Sequence, residues 1–139
     1  LVVPRAAEVR GRRFVVASDG SRFGDAAAVA AGSLAKRFET PVTVVSVAVP
    51  SHPEARRKEA HGVVDRVVGF LRSDGVGAEG EVPEGLAADM ILATAARASA
   101  DLIVIGSHGR SGIERLLLGS NSERVLNRSQ CAVLVVKAA

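Results

Sequence analysis

Apolar positions in this chain alternate between short continuous runs and longer stretches at helical spacing. Residues 13–18 form a β-branched apolar run that stops at Asp19-Gly20-Ser21, which predicts a strand entering a turn. Residues 24–38 are alanine-rich, with Ala27, Ala31, Leu34 and Phe38 on one helical face. Thr40-Pro41 ends that helix, and 42–49 is a second buried-type strand whose polar members are Thr43 and Ser46. Pro50 and Pro53 punctuate the chain before 54–73, where apolar residues at 60, 63, 64, 67, 68 and 71 predict an amphipathic helix. Residues 75–82 read as a weaker strand carrying Val76, Ala78 and Val82 on its apolar side. Residues 84–100 read as a third helix with Leu86, Met90, Ile91 and Thr94 together. The strongest strand signal is 102–105. A glycine-rich stretch over 106–119, a short helix over about 121–128 and an almost wholly apolar strand over 131–136 complete the pattern.

Strands and helices thus alternate from end to end. Near-continuous apolar strands in that order predict an α/β fold, a parallel sheet with helices on both faces. Residues 1–12 mix Pro, Arg and Gly without a period and read as a linker or disordered arm, which leaves 13–139 as one domain. A chain of 139 residues that starts at Leu1 can be one domain of a longer protein. Hydrophobic residues make up 47% and charged residues 24%, a balance that suits a globular domain and excludes a disordered one. No apolar run approaches the length of about 18 residues that spans a bilayer, and no basic-then-apolar leader is present. The single cysteine cannot form an internal disulfide, which fits a cytoplasmic location. A net charge of +3, with four Phe and neither Tyr nor Trp, argues against nucleic-acid binding, because both a strong basic field and stacking platforms are missing.

The chemistry concentrates after the strongest strand. Gly106, Gly109, Gly112 and Gly119 lie close together and lead into the last helix. Glycines permit positive φ and let backbone N–H groups approach a ligand without interference from a Cβ. Where the helix begins at Gly119-Ser120, open N–H groups and the positive end of the helix dipole favour an anion. Ser120 with Glu123 reads as a capping box. Glycine loops between a strand and a helix also occur without ligands, so spacing alone leaves an anion site and a plain connection both open.

Two well-known patterns do not apply. Gly75-Val76-Gly77-Ala78-Glu79-Gly80 matches G-x-G-x-x-G, but it follows a helix and enters a strand, the reverse of a dinucleotide fingerprint. It is expected to be a helix stop and turn. No Gly-Lys-Ser/Thr occurs, so there is no P-loop. Asp19-Gly20-Ser21 is by itself an ordinary turn and helix cap. It gains interest because ligands of open parallel sheets bind beyond the carboxyl ends of the strands, where the winding reverses. If the first and fourth strands are neighbours, Asp19 faces the glycine loop across a crevice, placed to accept ribose hydroxyl bonds.

These residues resemble the universal stress protein family over nearly the whole chain, and Gly106, Gly109, Gly119 and Ser120 meet its motif Gly-x2-Gly-x9-Gly-Ser. The resemblance implies a doubly wound, Rossmann-like five-stranded sheet of order 3-2-1-4-5 and membership of the branch that binds ATP. It further implies that the motif holds phosphates and ribose, that Asp19 contacts the nucleoside, that the Val47 backbone reads the adenine edge and that Ile105 is the site residue just before the glycine loop. Asn121 departs from the pattern, standing where a small apolar residue is frequent. Ser21, His108, Arg110 and Ser122 complete the candidate binding set, with Arg110 and Arg115 as possible offsets to phosphate charge.

His52 and His61 are expected to face solvent, and Cys131 to be a small buried hydrophobe. Any Mg²⁺ would arrive on the phosphates and keep most of its waters. The strand at 131–136 lies at a sheet edge in the implied order, and pairing it with its copy in a homodimer would protect that edge. The expected function is ATP (or ADP/AMP) binding by a stress-response or regulatory domain. Its rivals are a slow ATPase or self-phosphorylating enzyme in the same pocket, and an interaction module of a larger protein such as a transporter.

Overall fold

The computed structural model describes Val2, residues 8–109 and residues 118–138. Its elements are β1 (Phe14–Ala17), α1 (Arg22–Phe38), β2 (Val42–Val45), α2 (Glu54–Ser73), β3 (Ala78–Glu81), α3 (Ala87–Arg97), β4 (Leu102–Gly106), α4 (Ser120–Arg128) and β5 (Ala132–Val136). The strands form one five-stranded sheet in the order β3-β2-β1-β4-β5. All four pairings are parallel, with Phe14 opposite both Val42 and Leu102. This is the parallel sheet expected from the alternation of strands and helices, in the doubly wound order that the family resemblance implies.

The strands bury both faces, and their period of two divides the core. Phe14, Val16, Val42, Val44, Leu102 and Val104 point to one side, where Ala27, Ala31 and Ala35 of α1 and Val64, Val67 and Leu71 of α2 cover them. Val15, Ala17, Val45, Ile103, Ile105 and Val133 point to the other side, against Ala88, Ile91 and Ala95 of α3 and Val125 of α4. The alanines of α1 are small enough to bring that helix close to the sheet. Two residues depart from their predicted faces. Phe38 stays 55% exposed as the last residue of α1, though its ring packs edge-on to Phe14 with centroids 6.3 Å apart. Leu86 is 61% exposed because it precedes the first helical residue of α3 as its cap.

Local chemistry sets the boundaries. α1 begins at Arg22 because the Ser21 hydroxyl accepts the Gly24 N–H at 3.2 Å. At the end of α2, Gly75 adopts φ +83° and donates to the Arg72 carbonyl, while Val76 donates to Leu71. That is a Schellman stop, so the G-x-G-x-x-G decoy is the helix end the sequence indicates. It also shortens β3 to Ala78–Glu81. β2 stops at Val45 because β1 offers it no partner beyond Ala17, though Ser46 and Ala48 still donate to Glu81 and Pro83 carbonyls. Val47 is thereby released from the β1 side of the ladder.

Residues before β1 are tied to the body where they are described. The Asp101 carboxylate, almost fully buried, accepts the Arg10 N–H at 2.6 Å and the Arg12 N–H at 3.1 Å. The Thr40 hydroxyl donates to the Gly11 carbonyl at 3.0 Å. Removing the carboxylate strands two backbone donors in a half-buried position. Asp101→Ala should therefore lower stability by about 1–3 kcal/mol, read as a reduced midpoint in urea at constant slope. An unchanged midpoint would show that the segment contributes nothing to the fold.

Candidate functional site

β1 and β4 lie side by side, with Ala17 opposite Ile105, and the residues that follow each strand meet beyond the sheet. After β1, the Ser21 N–H donates to Asp19 Oδ1 at 3.0 Å, which fixes the carboxylate in a local turn. Its other oxygen faces Gly109: a Cβ on Gly109 would lie 2.9 Å from Asp19 Oδ2. Ser21 itself caps α1, so its hydroxyl is engaged away from the crevice.

After β4, Gly106 runs against the first turn of α1, where a Cβ would come within 2.7 Å of the Phe23 carbonyl oxygen. Ser107 is buried; its N–H donates to Val136 at 2.8 Å and its carbonyl accepts the Gly119 N–H at 2.7 Å. This second bond closes the glycine loop at its neck. The Ser122 hydroxyl donates to the Gly106 carbonyl at 2.7 Å, drawing the first turn of α4 onto the end of β4. His108 has Nδ1 at 3.0 Å from the Ser107 hydroxyl and its ring 5.2 Å from that of Phe23.

Two expectations are corrected here. Gly119, not Ser120, is the N-cap of α4, and no side chain caps the helix, so the Ser120–Glu123 capping box does not form. Glu123 instead donates its N–H to the Gly119 carbonyl, because the helix starts one residue early. The N–H groups of Ser120, Asn121 and Ser122 consequently head the helix with no intrahelical acceptor. Secondly, Gly106, Gly109 and Gly119 do not take positive φ. Close approach of other atoms, not a left-handed backbone, excludes a side chain at Gly106 and Gly109. Arg110, Gly112 and Arg115 lie outside the described residues.

A cleft of about 370 Å³ opens between these parts. Asp19, Val47, Ile105, Gly106, His108, Gly109, Gly119, Ser120, Asn121 and Ser122 all line it, while Ser21 does not. Its apolar wall comes from Val45, Leu86 and Ile91. Sequence reasoning missed a further wall made by His52, Arg56 and Glu59, together with Arg124 from α4. The available signal was that Arg56 and Glu59 border the apolar face carrying Ala60 and Val63. No motif marks them. His52 is half-buried here, not solvent-facing as expected, whereas His61 is exposed as anticipated. Burial, and secondly the Arg56 guanidinium, hold the His52 ring below its ordinary value of 6.5.

Cys131 lies far from this cleft, half-buried, its thiol pushed up by burial. It borders a wider groove of about 790 Å³ at the opposite end of the sheet, with Arg10, Asp101 and Arg128. That groove has neither a glycine loop nor a helix N-terminus, so the smaller cleft is the better candidate. Among the described residues no three His, Cys, Asp or Glu side chains converge on a metal position, and no helix is long and apolar enough to cross a membrane.

A doubly wound parallel sheet with a glycine loop and a helix N-terminus at its switch point is the arrangement of Rossmann-like α/β domains. The model of the universal stress protein family matches residues 11–137, and the chain belongs to that family. It is similar to universal stress protein MJ0531 of Methanocaldococcus jannaschii, with 34% identity over 139 residues, 91% of this chain and 82% of the relative. In structure it resembles a universal stress protein in complex with cAMP, at TM-score 0.76 and 24% identity over 92% of this chain and 98% of that one. It also resembles the Archaeoglobus fulgidus universal stress protein in complex with dAMP, at TM-score 0.72 and 21% identity over 94% and 100% of the two chains. Identities at that level carry the fold alone.

The His52 environment gives a test of the cleft wall. A folded value below the unfolded one means that the unfolded chain binds the proton more readily. His52 therefore withdraws a little stability as pH falls through 6.5 and none above it. NMR titration of the ring should give a midpoint below 6.5, and Arg56→Ala should move it part of the way back. An ordinary midpoint unaffected by Arg56→Ala would remove both groups from a shared wall.

Proposed function

We propose that the cleft binds an adenine nucleotide, ATP foremost, and that the domain serves stress response or regulation by retaining it. The observation that carries this reading is the placement of the Asp19 carboxylate against Gly109, across from the open N–H groups of α4. A carboxylate suits ribose hydroxyls, and a helix N-terminus suits phosphates. Val47 and Ile105 border the space between, where the backbone of Val47 would meet the adenine edge. The similar structures in complex with cAMP and dAMP support adenine nucleotides as the ligand class. Mg²⁺, if present, would ride on the phosphates and neutralise part of their charge.

The glycine loop and α4 supply backbone donors that fit ground-state phosphates, and such binding does not by itself speed the chemical step. Fast phosphoryl transfer needs a positioned nucleophile and a cation on the developing charge. His108 is the one imidazole in the loop, and its Nδ1 is engaged by Ser107. The domain thus holds nucleotide with little turnover. Two copies pair along β5, the apolar strand at the edge of the sheet.

Three outcomes follow for purified protein. Gly109→Val drives a side chain into Asp19 and the phosphate path, and should abolish ATP binding in calorimetric titration while the circular dichroism spectrum stays native. Asp19→Ala should weaken ATP and ADP alike by about 1–3 kcal/mol; a loss confined to ATP would put Asp19 at the terminal phosphate instead. Phosphate release under excess ATP and Mg²⁺ should run far below the roughly ten per second of an ordinary enzyme. Turnover near that rate, lost in His108→Ala with ATP affinity kept, would make the cleft an active site.

A further inference from the structure

We propose that Val2 closes the outer edge of β5 in cis and so competes with the pairing of two copies along that strand. The cis contact stands on the hydrogen bonds below; the competition rests on the β5 dimer of the proposed function.

Backbone groups of a strand alternate between its two sides. Val136 offers its carbonyl to Ser107 on the β4 side, so Cys131, Val133 and Val135 present theirs to the outer edge. Two of those three are already satisfied within the chain. The Ser129 hydroxyl serves Cys131, accepting its N–H at 3.1 Å and donating to its carbonyl at 2.8 Å. Val2 serves Val133 in an antiparallel bridge, with both reciprocal N–H to carbonyl bonds at 2.7 Å. A second copy laying its own β5 on this edge would need the same N–H and carbonyl of Val133. The two partners exclude each other there.

The geometry of the lock is that of a reversible one. Val2 is 45% exposed, so hydrogen bonds hold it and little packing does. The Asp101 carboxylate anchors Arg10 and Arg12 a few residues on, which tethers Val2 near the edge and keeps its local concentration high. Whatever draws the leading segment away frees the edge for a second copy.

Sedimentation equilibrium on five forms of the chain tests this. Deleting residues 1–7 leaves the Asp101 anchor intact, and Val2→Pro removes the N–H that bonds Val133. Both should tighten dimerisation about tenfold relative to the full chain, while Val2→Ala, which keeps both backbone bonds, should not change it. A full-chain dimer whose dissociation constant ignores the deletion and Val2→Pro overturns the cis lock and leaves the β5 dimer standing. Absence of dimer in every form, or a dimer that survives Val133→Pro, overturns the lock and the β5 dimer together.

Discussion

The parallel pairing of β1 with β4 is the constraint on which the rest of this structure depends. β1 hands the chain to α1 on one face of the sheet, and the connection after β4 leads to α4 on the other. Two neighbouring strands whose continuations part to opposite faces leave a gap beyond their carboxyl ends, because neither connection can cover it. Asp19 and Gly106 stand at the two lips of that gap for no reason other than the register of Ala17 with Ile105. A slip of one residue would turn one strand's faces over and disrupt two core layers with the cleft. Core and site are therefore specified by the same pairing.

Within the cleft the chain is arranged around backbone, not around reactive side chains. The bond from Gly119 to Ser107 closes the loop neck, and the Ser122 hydroxyl pulls the head of α4 onto β4. These contacts use groups that point inward and leave the N–H groups of Ser120, Asn121 and Ser122 at the open end. Had the Ser120–Glu123 capping box formed, the Glu123 carboxylate would have taken the Ser120 N–H. A glycine cap costs some helix stability and leaves the donors available. The pressing of Phe23 against Gly106 and of Asp19 against Gly109 gives the same economy of space, since any side chain there would fill the crevice.

Much of this was legible from the residues because strong local signals coincided with the fold. The run at Leu102–Gly106, the alanine face of α1 and the spaced valines of α2 mark their elements unmistakably, and the sheet order followed from a family likeness carried by the glycine spacing. Boundaries were less legible. β2 ends where β1 ceases to accompany it, and that depends on a neighbour distant in sequence. The capping box failed for a related reason: Ser120 and Glu123 have the right spacing, but the clasp at Ser107 pulls Gly119 into the cap position. The α2 wall was invisible. Arg56 and Glu59 look like surface residues of an amphipathic helix, and His52 like a loop residue before it, until the fold brings them beside the cleft.

The most direct test of the central claim is an amide NMR titration of the full chain with ATP. The nucleotide reading predicts that saturable shifts concentrate at Asp19, Val47, Gly106, Gly109 and the first turn of α4, with Cys131 and the groove beside Asp101 unmoved. Shifts confined to that opposite groove, or none at millimolar ATP, would contradict it.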